Sequence, residues 1–293
     1  MTGHTRCAII AGSQGYRWLE ALGGESARVE PVQTPFGPSP PMHIVRAGEA
    51  EVAVLSRHGE KGYQVSAPFV NYRANIWALK ELGVERIVAW SGPGAIDTGI
   101  PIGDILVPGD IIDETRDRSS TFFEGLGVGF IRQNPVFCPE LAEGLRSAIE
   151  ARQGHCRTGD VYVCTQGPRL ETAAEIRKFA SYGGTLVGMT LAPEAFLAKE
   201  LEMCYCPVCY VTNYAEGVVE RPYRPGELFE GMLSKEEKAK VDAAVEMLPR
   251  ILIEALLSLS EHRACQCSRS MERYRLRGDI GDDWHTWVGK LEG

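Results

Sequence analysis

Short apolar runs, each closing on a small or polar residue, alternate along this chain with stretches of helical spacing, and that alternation constrains the fold more than any other feature. CAIIAG closes on Gly12 and Ser13, AEVAVLS on Arg57 and His58, and RIVAW on the glycine-rich SGPGAIDTG. GDILVP, DVYVCT, TLVGMT and CPVCYVTN are further strand-like runs, the last keeping Thr212 and Asn213 for its end. Between them VNYRANIWALKEL predicts a helix stopped by Gly83, ETAAEIRKFASYG a second, and PEAFLAKEL a third with Pro193 at its first turn. Ser234 and Glu237 form a capping-box pair ahead of apolar positions 241, 245, 248, 252, 256 and 259, a helix that Pro249 is expected to kink. The pattern predicts an α/β protein: a single domain, residues 1–262, with a mixed central β-sheet flanked by helices. Residues 263–293 read as a polar C-terminal tail, expected to be loose.

The 293 residues carry 31 basic and 39 acidic side chains, a formal net charge of -8, and no Lys/Arg run interleaved with aromatics. Nucleic acid is therefore not an expected partner. The start, MTGHTRCAII, has neither a basic leader nor a sustained apolar run, and the apolar stretch from Val241 to Leu259 is interrupted by Glu246, Pro249, Arg250 and Glu254. No membrane partner and a cytoplasmic location are expected. Nine cysteines, at positions 7, 138, 156, 164, 204, 206, 209, 265 and 267, are an odd, scattered set that argues against a secreted disulfide framework. Cys204, Cys206 and Cys209 lie in the apolar run MCYCPVCYVTN with no second ligand pair near, so no metal site is expected. Cys265 and Cys267, in ACQCSRS, read as exposed thiols, open to redox chemistry or passive.

In open α/β sheets small ligands bind beyond the carboxyl ends of strands, which gathers the strand-end residues on one rim. Ser13, Arg57, His58, Ser91 and Thr190 offer hydroxyls, a guanidinium fork and an imidazole, while Gly12 and Gly92 let backbone amides come close. The set suits an oxyanion, although a single Arg-His pair is by itself more often a surface pair. The sequence GSQG lacks the third glycine of a dinucleotide fingerprint, and no Walker A sequence is present.

The order of AIIAGS, SRHGE, VNYRANIWALKELGV, GDILVPGDIID, QGPRLETAAEI, VGMTLAPEAFLAKE and CYVTN, over about residues 7–258, resembles the trimeric purine nucleoside phosphorylases and methylthioadenosine phosphorylases. The resemblance implies a phosphate site of Ser13, Arg57, His58, Ser91, Gly92 and Thr190. It places Met189 against the sugar and Leu170 against the base, where the family has an aromatic residue. Tyr72 falls on the matched helix without an assigned ligand role. Glu171 and Asn213 match the residues with which the 6-oxopurine branch reads its base. A carboxylate at Glu171 accepts the N1 proton of hypoxanthine or guanine but faces a bare acceptor in adenine, and the Asn213 amide serves O6 or N7. Asn213 and His58 are the expected catalytic residues. No cofactor is expected, with inorganic phosphate as co-substrate, and the resemblance implies a homotrimer or a dimer of trimers.

Three departures from the family pattern bear on specificity. Gly62 stands where a histidine is common, with one extra position before VNY; Pro93 stiffens the phosphate loop WSGPGAI; and Ala215 replaces the second Asp of the methylthioadenosine branch. The sequence therefore predicts phosphorolysis of a 6-oxopurine nucleoside, namely inosine, guanosine or 5′-methylthioinosine, to base and (methylthio)ribose 1-phosphate. A 5′-methylthioadenosine phosphorylase and a noncatalytic nucleoside-binding homologue are the alternatives.

Overall fold

The computed structural model describes residues 5–12, 26–48, 50–222, 224–228 and 233–288. In chain order its strands are β1 (Cys7–Ala11), β2 (Ser26–Val29), β3 (Gln33–Thr34), β4 (Gly37–Pro38), β5 (Met42–Ala47), β6 (Ala50–Ser56), β7 (Arg86–Ser91) and β8 (Gly94–Ala95). They continue with β9 (Ile105–Val107), β10 (Asp110–Glu114), β11 (Arg157–Thr158), β12 (Val161–Thr165), β13 (Leu186–Gly188), β14 (Cys204–Tyr210) and β15 (Asn213–Tyr214). The α-helices are α1 (Tyr72–Glu81), α2 (Pro139–Gln153), α3 (Ala173–Ser181), α4 (Glu194–Glu200), α5 (Lys235–Leu257) and α6 (Glu272–Arg277).

The α/β class expected from the alternating pattern is what the chain adopts, with its mixed sheet divided in two. Among the described residues an eight-stranded sheet runs β11-β9-β14-β7-β1-β6-β5-β2, and a five-stranded sheet runs β10-β12-β13-β8-β15. The centre of the larger sheet, β14-β7-β1-β6, is parallel. Strands covered on both faces need continuous apolar sequence, which is why β1, β7 and β14 read as unbroken runs instead of alternating ones. Ile9, Ile10, Ile87, Val88 and Val208 are fully buried there, and withdrawing each from water stabilises the fold by roughly 1.5–3 kcal/mol. The antiparallel pairs β2·β5, β5·β6 and β9·β14 make the sheet mixed.

Three strand pairs, β7 and β8, β9 and β10, β14 and β15, carry the chain from the larger sheet into the smaller. Each is separated by two residues only: Gly92 and Pro93, Pro108 and Gly109, Val211 and Thr212. Proline cannot donate to a ladder and glycine has no side chain to obstruct the bend, so the first two dipeptides end one sheet and admit the next, while Val211-Thr212 makes the third crossing without either residue type. The crossings touch: a Cβ at Gly92 would stand 2.8 Å from Thr212 Cγ2 and 2.9 Å from the Tyr210 ring. The smaller sheet has its own apolar contact with α3, through Val163, Ile176, Phe179 and Val187.

Helix signals in the sequence are realised. Ser234 and Glu237 cap α5 reciprocally, at 3.1 Å and 2.7 Å, and Gly83 follows α1 in the left-handed region at φ +85°. Helix α5 continues through Pro249. The loose tail expected beyond residue 262 is corrected. Met271, Tyr274 and Trp287 are buried in the main core, and Trp284 packs on Trp77 with ring centroids 4.6 Å apart. A few apolar side chains spaced through a polar sequence suffice to dock it. No helix among the described residues is long and apolar enough to cross a membrane.

Candidate active site

The strand ends meet where the two sheets join. Arg57 and His58 follow β6, Ser91 closes β7, and Thr190 lies two residues beyond β13. Arg57 donates through Nη1 to the Trp90 carbonyl at 2.9 Å, which ties the end of β6 to the end of β7. Ser91 Oγ lies 3.3 Å from Thr190 Oγ1 and 2.9 Å from the Tyr162 hydroxyl, which ties β7 to β12 and β13. Tyr162 reaches this point because residue 188 is glycine: a Cβ there would stand 2.0 Å from the phenolic oxygen. Arg57, Ser91 and Thr190 are thus assembled at one place, all buried. Ser13 lies outside the described residues.

The guanidinium fork expected to grip phosphate is occupied. Arg57 Nε and Nη2 donate to Glu194 Oε2 and Oε1 at 2.9 and 2.6 Å, and Tyr205 donates to Glu194 Oε1 at 2.7 Å. Burial opposes the Arg57 cation, but the adjacent carboxylate outweighs it and holds the pKa above its ordinary value. Three of the five N–H groups of an arginine are used in this way, in a side chain with no solvent exposure. Glu194 is the functional residue that the sequence reading missed. Its signal is an acid placed inside the apolar segment APEAFLA, which only a buried cation could satisfy.

His58, expected in the phosphate site, differs from the hydroxyls and the guanidinium in having its ring proton already engaged. Its Nδ1 lies 2.8 Å from the Val65 carbonyl, an atom that only accepts, so Nδ1 carries the proton. Burial, with the neighbouring Arg57 cation, pulls its pKa down to about 4. The ring is neutral at pH 7 and presents an Nε2 lone pair, an acceptor suited to a hydroxyl or to a protonated phosphate oxygen.

Glu171 and Asn213 both stand at the smaller sheet, Glu171 in the loop after β12 and Asn213 within β15. Thr165, at the end of β12, donates to Glu171 Oε1, and Asn213 opens β15. From β12 to β15 are three strand spacings, roughly 14 Å, with β13 and its extension to Met189 and Thr190 between them. Asn213 Nδ2 donates to the Tyr214 carbonyl at 2.8 Å, and Thr212 Oγ1 approaches Asn213 Oδ1 at 2.7 Å. These partners fix which end of the amide is the NH2, and one of its two N–H groups stays available. Leu170 and Met189, the residues expected against base and sugar, are half-buried.

Arg118, also missed in the sequence, pins the rim from behind. Its guanidinium donates to the carbonyls of Met189 (2.8 Å), Ala192 (2.6 Å), Thr165 (3.1 Å) and Gln166 (2.7 Å). It also reaches the Tyr72 hydroxyl at 3.3 Å, which itself donates to the Ala67 carbonyl at 3.1 Å, so Tyr72 is a packing residue here. Pro93 accepts through its carbonyl from the Thr212 N–H at 3.0 Å, stiffening the crossing where the phosphate loop was expected. Ala215 is buried against the small core.

Residues 6–257 match the phosphorylase superfamily. The 6-oxopurine nucleoside phosphorylase of Pyrococcus furiosus is 38% identical over 274 residues, covering 91% of this chain and 98% of the relative. A probable S-methyl-5'-thioinosine phosphorylase of Methanothermobacter thermautotrophicus is 40% identical over 263 residues, 90% of this chain and 88% of that one. Among solved structures, the methylthioadenosine phosphorylase of Schistosoma mansoni in complex with tubercidin superposes with a TM-score of 0.78 at 26% identity, covering 95% of this chain and 100% of the other.

Proposed function

The chain belongs to the phosphorylase superfamily, and on that premise we propose that it is a purine nucleoside phosphorylase that cleaves 6-oxopurine nucleosides with inorganic phosphate. The reading is supported by Glu171, held by Thr165 at the end of β12, and Asn213, which opens β15, both standing at the smaller sheet, with Ser91, Thr190 and the Arg57-His58 pair where the two sheets join. A carboxylate at Glu171 accepts from a protonated N1, which hypoxanthine and guanine have and adenine lacks. Ala215 leaves the base side without a second acid to receive a 6-amino group.

The reaction follows from charge. As the bond from C1′ to N9 lengthens, the sugar becomes cationic and the purine gathers negative charge. The free N–H of Asn213 stabilises that charge at N7, and phosphate supplies both the counter-charge and the oxygen that bonds to C1′. His58 accepts a hydrogen bond from phosphate or from a ribose hydroxyl. Held reactants make a protein nucleophile unnecessary. Both inosine and its 5′-methylthio analogue fit the reading: one relative is named for 6-oxopurine nucleosides, the class to which inosine belongs, and the other for S-methyl-5'-thioinosine. The expected homotrimer and the cytoplasmic setting belong to the same proposal. The exposed Phe69 and Tyr63 rings, the latter 4.8 Å from the His58 ring, support a neighbouring subunit covering the site.

The test is product analysis of inosine and methylthioinosine incubated with and without phosphate. Hypoxanthine and a pentose 1-phosphate in equal amounts are expected; free pentose, formed equally well without phosphate, would replace phosphorolysis by hydrolysis.

A further inference from the structure

We propose that Cys138, Cys204, Cys265 and Cys267 form a tetrathiolate site for one zinc ion, remote in function from the nucleoside site. Their four sulfurs lie within 4.8 Å of one another, and all four are free thiols. The second ligand pair that is distant from Cys204 in sequence is close to it in space. Zinc bound by four thiolates at about 2.3 Å places the sulfurs about 3.8 Å apart. That edge falls between the 3.3 Å separating Cys204 from Cys265 and the 4.8 Å limit of the whole set. Two disulfides would need only two close pairs. Mutual closeness of all four sulfurs is what a single central cation requires, and an all-sulfur tetrahedron selects zinc among the common divalent ions.

The ligands converge from three parts of the chain. Cys138 precedes α2 and Cys204 begins β14, both buried in the core, while Cys265 and Cys267 arrive half-buried on the C-terminal segment. Glu140 holds that segment in register, accepting from the Ala264 and Cys265 N–H groups at 2.9 and 3.1 Å. Zinc entry displaces the thiol protons and leaves an anionic centre, whose excess charge the N-terminus of α2 and the Lys199 ammonium beside Cys267 offset. The metal fastens the segment that lays Trp284 on Trp77 of α1.

The full chain, purified with a thiol reductant and without chelator, is expected to carry one zinc per chain by elemental analysis. A mercurial should release it, the four cysteines should resist alkylation until then, and Co2+ should replace it with the intense sulfur-to-metal absorption of a tetrathiolate. The double variant C265S/C267S should lose the metal and show a lowered Tm. A Cys7→Ser control should keep one equivalent of zinc. Reduced wild-type protein that takes up neither Zn2+ nor Co2+, or the four cysteines recovered as disulfides from protein trapped at lysis, would overturn the proposal. Neither outcome touches the phosphorolysis reading, which base release measures separately.

Discussion

The Arg57 guanidinium and the Glu194 carboxylate meet edge to edge at 2.6 and 2.9 Å, with neither side chain reaching solvent. A buried pair of this kind adds little net stability over an apolar substitute, yet removing one partner strands the other. Glu194→Ala is therefore expected to destabilise the protein by roughly 3–5 kcal/mol and to raise the phosphate KM, because the freed guanidinium turns from its site. Denaturant midpoints and phosphate saturation curves measure both; an unchanged midpoint would show that the pair does not hold Arg57.

Asn213→Ala removes the one amide hydrogen left to meet the departing base. The expected loss is in kcat, on the order of 10²–10³-fold, with phosphate KM little changed. Steady-state kinetics at saturating phosphate reads the split. A loss confined to nucleoside KM would assign Asn213 to ground-state binding.

Because the folded pKa of His58, about 4, lies below the ordinary 6.5, the neutral ring's contribution to stability is complete above 6.5 and is lost as pH falls toward 4. Its ring resonances should stay unmoved through 6.5 in a histidine NMR titration. A midpoint at the ordinary value would mean that Nε2 can donate at neutral pH.

Glu200 shifts the opposite way. Burial, only partly offset by hydrogen bonds from Thr121 and the Phe122 N–H, raises its pKa to about 7 from 4.5. The native state then holds this proton more tightly than the unfolded chain, so stability declines as pH rises from about 4.5 through about 7, by up to about 3 kcal/mol. Glu200→Gln should flatten that part of the Tm profile. Parallel profiles for the two proteins would contradict the assignment.

The strand runs at 7–11, 50–56, 86–91 and 204–210 were legible because burial on both faces demands unbroken apolar sequence. Ser91 and Thr190 were legible as strand-end hydroxyls, and the structure brings them together. The division into two sheets was hidden, since Gly92-Pro93 and Pro108-Gly109 look like ordinary loop punctuation and Val211 lies inside an apolar run that reads as one strand. Glu194 and Arg118 were hidden because their partners are far away in sequence: a carboxylate 137 positions from Arg57, and carbonyls 47 or more positions beyond Arg118. The C-terminal segment misled because its few apolar anchors are diluted among charges.

The central claim is that this site reads a 6-oxopurine through Glu171. The direct measurement is the phosphate-dependent kcat/KM for methylthioinosine against methylthioadenosine, in the wild type and in Glu171→Gln. The account predicts a preference of roughly tenfold or more for the oxopurine, the effect of an unpaired buried acceptor, shrinking in the variant. Methylthioadenosine as the better wild-type substrate, or a ratio that Glu171→Gln leaves untouched, would contradict it.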